Sequence, residues 1–247
     1  MLDPEYEIMQ RLENHHWWFT AKKRFIKTLL DVYLKPGDGN ILDIGCGTGG
    51  MIELLKHYGP VFGLDRHQAA CAFFHRSHPF PLVKGDANRL PFKKGSFQLI
   101  SLLDVLYHQY IIDDGKVLDQ IHDLLTPAGF LLITDSAFEF LRGAHDRAVM
   151  ARHRYTLKEL KDKAVAHGFS VQRGSYLFCS IFPLVALSRL FSRLFLNFHL
   201  STARSDLKET NLPMNAFLIL LLGGEARLLR HLDLPIGSSL ILLGKKE

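Results

Sequence analysis

Residues Ile41 to Gly50 read ILDIGCGTGG, a short apolar run followed by glycines at Gly45, Gly47 and Gly50 in the spacing GxGxxG. An apolar run of strand length that enters a glycine turn is a buried strand handing over to a helix. Glycine tolerates the left-handed backbone of a tight turn and lets the main chain approach a ligand. The amides that open the next helix then face any anion placed there. Dinucleotides and nucleosides use these properties alike, so the loop alone does not choose between them.

Working outward, strand-like and helix-like segments alternate. ILDIG leads into MIELLKHY, VFGLD into HQAACAFFH, and PLVKGD is followed by FQLISLL and DGKVLDQIHDLL; GFLLITD comes after the turn TPAG. This rhythm predicts an α/β fold with a doubly wound, mostly parallel sheet and helices on both faces. Upstream, residues 5–34 have helical spacing, with Ile26, Leu29, Leu30, Tyr33 and Leu34 as the buried stripe. After Asp135 the rhythm breaks: residues 136–155 are irregular and rich in Arg and His. TLKELKDKAVAHG then reads as a helix with a Thr cap and a Gly stop, and a strand runs from Phe169 to Tyr176. From Phe178 to Leu234 the pattern is helical and strongly apolar, and SSLILLGKK is a final strand.

A chain of 247 residues suits one sizeable α/β domain with an insertion. Apolar residues at 47% and charged residues at 22% are ordinary for a globular protein and argue against disorder. The net charge of +5 comes from scattered basic residues without a long run, so no nucleic-acid partner is expected. Cys46, Cys71 and Cys179 are odd in number and form no CxxC pair, which predicts neither a disulfide framework nor a metal site and fits a reducing cytoplasm. The acidic start MLDPEYEIMQ lacks the apolar core of a secretory signal, and no stretch is long and apolar enough for a spanning helix.

Three carboxylates sharpen the reading of the glycine loop. Asp65 closes the second strand about twenty residues on, where a carboxylate accepts both ribose hydroxyls. Asp86, in KGDANRLPF, is placed to accept from an exocyclic adenine amine, with the Ala87 amide beside it. Asp43 would repel a pyrophosphate but suits a cationic ligand. S-adenosylmethionine carries adenine, ribose, an amine and a sulfonium, and fits all three. The segments ILDIGCGTG, GLD, GDANRLPFKKGSFQLI and LLTPAGFLLITD, in that order, resemble the successive motifs of class I S-adenosylmethionine-dependent methyltransferases over roughly residues 38–135. That resemblance implies a seven-stranded Rossmann-like sheet ending in an antiparallel strand. It also implies a cofactor set of Asp43, Gly45, Cys46, Gly47 and Gly49 at the methionine end, Asp65 with Arg66 at the ribose, Asp86 and Ala87 at the adenine, and Leu103 and Asp104 facing the transferring methyl.

Methyl transfer needs a base only where the acceptor loses a proton, and Tyr107, His108 and His145 are the candidates. The crossover AHDRAVMARHRYT offers Arg152 and Arg154 as anion contacts for an acceptor. The stretch HHWWF holds both tryptophans of the chain. Together with HDRAVMARHRYTLKELKDKAVAHGF and YLFCSIFPLVALSRL, it resembles a bacterial subgroup found near polysaccharide and glycolipid biosynthesis. Two readings stand for His16, Trp17 and Trp18: a lid facing cofactor or substrate, or an anchor for the first helix.

The expected organisation is a helical lid over 1–37, a cofactor-binding core over 38–177, a helical insertion over 178–235 and a last core strand over 236–247. The expected function is methyl transfer to oxygen or nitrogen of a small or lipid-linked acceptor, with S-adenosylhomocysteine as product. A cofactor-binding protein without transferase activity is the alternative. For the apolar insertion the sequence leaves open a cap on the acceptor pocket, a homodimer face or a patch resting on a membrane.

Overall fold

The computed structural model describes residues 3–77, 80–195 and 207–247. Seven strands form one sheet in the order β3-β2-β1-β4-β5-β7-β6. They are β1 (Ile41–Ile44), β2 (Val61–Asp65), β3 (Leu82–Lys84), β4 (Phe97–Leu103), β5 (Leu125–Ser136), β6 (Phe169–Leu177) and β7 (Ser239–Lys246). The first five strands run parallel and β7 is antiparallel to both neighbours, β5 and β6. The chain order reverses between β1 and β4, which opens a crevice at their carboxyl ends.

The apolar strands are buried on both sides, as a parallel sheet requires. Side chains alternate between the faces with period two. Leu42, Ile44, Ile100, Leu102, Leu131 and Ile133 join one core, under α5 (Asp114–Leu124) and α7 (Leu157–Ala166). Ile41, Leu99, Leu132, Ile241 and Leu243 join the other, under α2 (Trp17–Tyr33) and α9 (Leu212–Leu228). Thr156 caps α7 through a hydrogen bond from the Glu159 amide, and Gly168 follows the helix in the left-handed region, as its sequence predicts.

Two expectations change in detail. The amino-terminal helical segment is two helices, α1 (Asp3–Leu12) and α2, because His16 adopts an extended backbone and its Nδ1 accepts from the Trp18 amide. The helix after the glycine loop is reduced to α3 (Ile52–Leu55). The remaining helices are α4 (Gln68–Ser77), α6 (Ala144–Ala148) and α8 (Phe182–Phe195). Within the apolar stretch Phe178–Leu234, residues 196–206 lie outside the described ones. Among the described residues no helix is long and apolar enough to cross a membrane.

Candidate active site

A cleft of about 230 Å³ lies at the carboxyl ends of β1, β2 and β4, where the strand order reverses. Its floor is the glycine loop. Gly45, Gly47 and Gly49 have φ of 70°, 57° and 91°, a conformation side chains rarely tolerate. A Cβ at Gly45 would sit 2.5 Å from Val105 Cγ2, and one at Gly47 would sit 2.8 Å from Met9 Cε. The loop therefore packs against Val105 and Met9 more closely than any side chain at these positions would allow.

Four aspartates open on this cleft, Asp43, Asp65, Asp86 and Asp104. Asp65, nearly fully buried, is aimed by two backbone donors, Gly47 N–H at 2.9 Å to Oδ2 and His67 N–H at 2.8 Å to Oδ1. Asp43 pairs in register with Ser101 across β1 and β4, and the Ser101 hydroxyl donates to its Oδ1 at 2.7 Å. Burial, reinforced by the charge of Asp65, pushes the Asp43 carboxyl up to about 7 against the opposing effect of Ser101. Asp86 Oδ1 accepts from the Asn88 amide and side chain, and Asn88 Nδ2 also donates to Tyr110 O, which ties this loop to the one after β4. Asp104 has φ of 59°, within the left-handed region that Asp visits more readily than most residues, and its amide donates to Thr134 O.

The amino-terminal helices supply the opposite wall. Tyr6 of α1 stacks on His67 with ring centroids 4.6 Å apart. Glu13 accepts from the Thr48 hydroxyl at 2.5 Å, which fastens the helix end to the glycine loop, and burial raises its carboxyl above the ordinary range. From α2, the buried Lys22 pairs with Asp104 and lies 4.9 Å from the centre of the Trp18 ring. Lys22, Glu13, Tyr6 and Met9 were not singled out from the sequence. Their motif-free setting carries no signal, because only the docking of α1 and α2 onto the loop brings them to the cleft.

The other expected residues divide. Cys46, Arg66, Ala87 and Leu103 line the cleft, as do Tyr107, His108 and His145. Gly49 supports the turn without lining it. Of the tryptophans, Trp18 lines the cleft and stacks on Phe178, with centroids 6.1 Å apart and planes 6° apart. Trp17 packs edge-on against the same Phe178, and its amide donates to Asn215 Oδ1. The Trp18 ring thus forms wall, while the Trp17 amide ties α2 to α9. His16 caps α2 outside the cleft, with Nε2 3.3 Å from the Thr210 hydroxyl.

Arg152 and Arg154 also lie outside the lining. Arg154 is buried, donating through Nε and Nη2 to Asp146 and through Nη1 to Ala137 O. Arg152 reaches Asp114 at 3.5 Å. These guanidinium groups brace the crossover that carries His145.

Base chemistry is constrained by the local fields. Burial, together with the nearby charges of Asp104 and Asp135, holds the Tyr107 phenol well above its ordinary range, so it stays protonated at neutral pH. Burial and the cation of Arg66 lower His108 to about 4. Its Nδ1 accepts from the Tyr110 amide at 3.3 Å, which places the proton of the neutral ring on Nε2. His108 is therefore a neutral hydrogen-bond donor near pH 7. Near the end of β5, the fully buried Asp135 is pushed well up by burial and by Asp104.

Residues 42–133 match the family described as "Methyltransferase domain". Phthiotriol/phenolphthiotriol dimycocerosates methyltransferase 1 of Mycobacterium ulcerans is 31% identical over 103 residues, 38% of this chain and 36% of that protein. Demethylmenaquinone methyltransferase of Thermus thermophilus is 26% identical over 140 residues, 53% of this chain and 61% of that protein. The chain thus spans less than two thirds of the length of these relatives. Among solved structures, phosphoethanolamine N-methyltransferase 2 of Haemonchus contortus in complex with S-adenosyl-L-methionine superposes with a TM-score of 0.64 at 16% identity, covering 99% of this chain and 57% of that one. A Haloferax volcanii methyltransferase, solved with the Trm112 activator, gives 0.61 at 19% identity over 99% and 94%. The seven-stranded sheet and the left-handed glycine loop agree with the fold of these solved structures, and residues 42–133 are the segment that matches the methyltransferase domain model.

Proposed function

We propose that the protein transfers the methyl group of S-adenosylmethionine to an oxygen or nitrogen of a small or lipid-linked metabolite and releases S-adenosylhomocysteine. The observation that carries this reading is the row of carboxylates along one strand edge, Asp43, Asp65, Asp86 and Asp104, opening on a cleft floored by left-handed glycines. Asp65 would hold the ribose hydroxyls, Asp86 the adenine edge, and Asp43 with Glu13 the cationic methionine end. The bound donor supplies an activated methyl on a sulfonium, which becomes a neutral thioether as the new bond forms.

The chain contributes alignment and exclusion of water. Trp18, Lys22 and the α1 residues roof the cleft, and the neutral His108 offers a donor to an acceptor oxygen or nitrogen. The names of the curated relatives, for phthiotriol dimycocerosates and demethylmenaquinone, support a small-molecule or lipid-related acceptor.

Calorimetric titration with S-adenosylmethionine and S-adenosylhomocysteine tests the cofactor half of the reading. Both are expected to bind. Asp43 holds a proton near neutrality in the unliganded protein, and a cationic ligand favours the ionised form, so binding releases a proton. Affinity is expected to fall as the pH drops below about 7, by at most about tenfold per pH unit. Absence of binding at pH 8 would refute the reading outright. Methyl-labelled donor incubated with a cell extract then tests the transfer half, and binding without labelled product would favour a non-catalytic protein.

Lys22 gives a second expected result. Replacing it with Met removes a cation from beside Asp104 and frees that carboxylate to face the ligand. The affinity ratio of the sulfonium form over the neutral thioether form should shift by about tenfold toward the sulfonium, the scale of one screened charge pair at close range. An unchanged ratio would show that Lys22 only anchors the helix.

A further inference from the structure

Twelve of the seventeen exposed large apolar side chains among the described residues lie between Leu184 and Ile236. The others are scattered over the rest of the chain. On α8, Leu184, Leu187, Leu190 and Phe191 are all more than half exposed. On α9, Leu222, Ala226 and Leu229 turn inward to the core shared with α2, while Leu212, Phe217, Leu220 and Leu228 are 52–83% exposed. A helix that is apolar on every side needs cover on every side.

Apart from the buried Glu225, the charges of the two helices have one sign. In sequence α8 carries Arg189 and Arg193 and no acid. The one acid of α9, Glu225, is buried and accepts from the Cys179 and Ser180 amides at the start of α8. Its cation, Arg227, is exposed, and Arg230 beyond the helix end is exposed as well. The exposed acids at its margins, Glu209 and Asp233, pair with Arg11 and Arg173, while Arg227 and Arg230 face outward. An apolar surface with outward arginines is complementary to an anionic lipid surface, where aliphatic side chains enter the acyl boundary and arginines meet headgroup phosphates. A second copy of the same cationic face would bring like charges together.

The position of the face adds to this. The Trp17 amide and Asn215, which also donates to His15 O, tie the start of α9 to the start of α2. Leu207, a few residues before α9, lines the cleft. Helix α9 therefore begins at the cleft mouth.

We infer that α8 and α9 form a monotopic docking face that rests the protein on an anionic membrane with the cleft mouth at the lipid boundary. This inference stands on exposure and charge, and does not require the methyl-transfer reading.

Vesicle sedimentation of the full chain tests it, with phosphatidylcholine vesicles set against vesicles in which phosphatidylglycerol replaces about a third of the lipid. The protein is expected to pellet with the anionic vesicles at least about tenfold more strongly, and less so as salt is raised. The double variant Phe217→Ser, Leu220→Ser should lose about tenfold or more in partition, and Arg227→Glu about fivefold. Gel filtration and an unchanged far-ultraviolet spectrum confirm that each variant is folded. No pelleting with anionic vesicles, or equal pelleting of the serine variant, would overturn the inference. So would a stable dimer that the serine variant disperses while no vesicle binding is seen, since the occupant would then be a second copy.

Discussion

Asp65→Ala is expected to weaken binding of S-adenosylhomocysteine about a hundredfold, the loss of two charge-assisted hydrogen bonds from a site that also excludes water. The carboxylate is nearly buried at the end of β2 and oriented by the Gly47 and His67 amides, so its direction is set before a ligand arrives. Pre-orientation is why so much affinity rests on one side chain. The same substitution leaves those two amides without their acceptor, so a modest loss of thermal stability, on the order of 1–2 kcal/mol, accompanies it. Comparison with the 2′-deoxyribose analogue isolates the ribose contact. The analogue should bind the wild-type protein less well than the parent ligand, and bind the variant as well as the parent does. An analogue penalty that survives in the variant would remove Asp65 from the ribose.

Arg154→Met is expected to destabilise the fold by about 3–5 kcal/mol, because it leaves the Asp146 carboxylate buried without its cation. Both side chains are almost wholly buried, and the pair is bidentate, with Nε–Oδ1 at 2.7 Å and Nη2–Oδ2 at 3.1 Å. Burial alone would raise the Asp146 carboxyl, but the hydrogen bonds and charge of Arg154 outweigh it and hold the group below its ordinary value. The pair's contribution is therefore fully present above the ordinary aspartate range and fades as the pH falls through the depressed value. The variant reverses that dependence: it gains stability on mild acidification as the lone carboxyl takes up a proton. Urea unfolding of the two proteins at pH 5 and pH 7 checks both the size and the sign. A loss below about 1 kcal/mol would mean that the carboxylate finds solvent or another donor. His145 neighbours Asp146 on α6, so the variant is also expected to slow any step that uses His145.

The glycine-loop side of this cleft was legible in the sequence because local rules govern it. A strand entering a glycine turn can be read from composition alone, and Asp43, Asp65 and Asp86 stand at or just beyond strand ends whose spacing follows from the length of each βα unit. The opposite wall and the crossover after β5 were not. Arg154 was a candidate anion contact and is an internal brace, and His16, read as either lid or anchor, caps the second helix. Side chains of Arg and His serve either purpose with the same residue type, and the choice depends on which groups the crossover buries.

The sequence by itself determined the alternation of strands and helices, the glycine turn and the row of carboxylates, since each depends on residues within one strand–loop–helix unit. Only the tertiary structure decided that Lys22 meets Asp104, that Glu13 meets Thr48, that Trp18 walls the cleft while Trp17 anchors α2, and that α9 keeps one apolar face outside. Those pairs join residues dozens of positions apart, on α1, α2 and α9, whose helical periodicity fixes which side is apolar but not which partner that side will meet. Docking geometry settles the partner, through the fit of buried surfaces that no local pattern encodes.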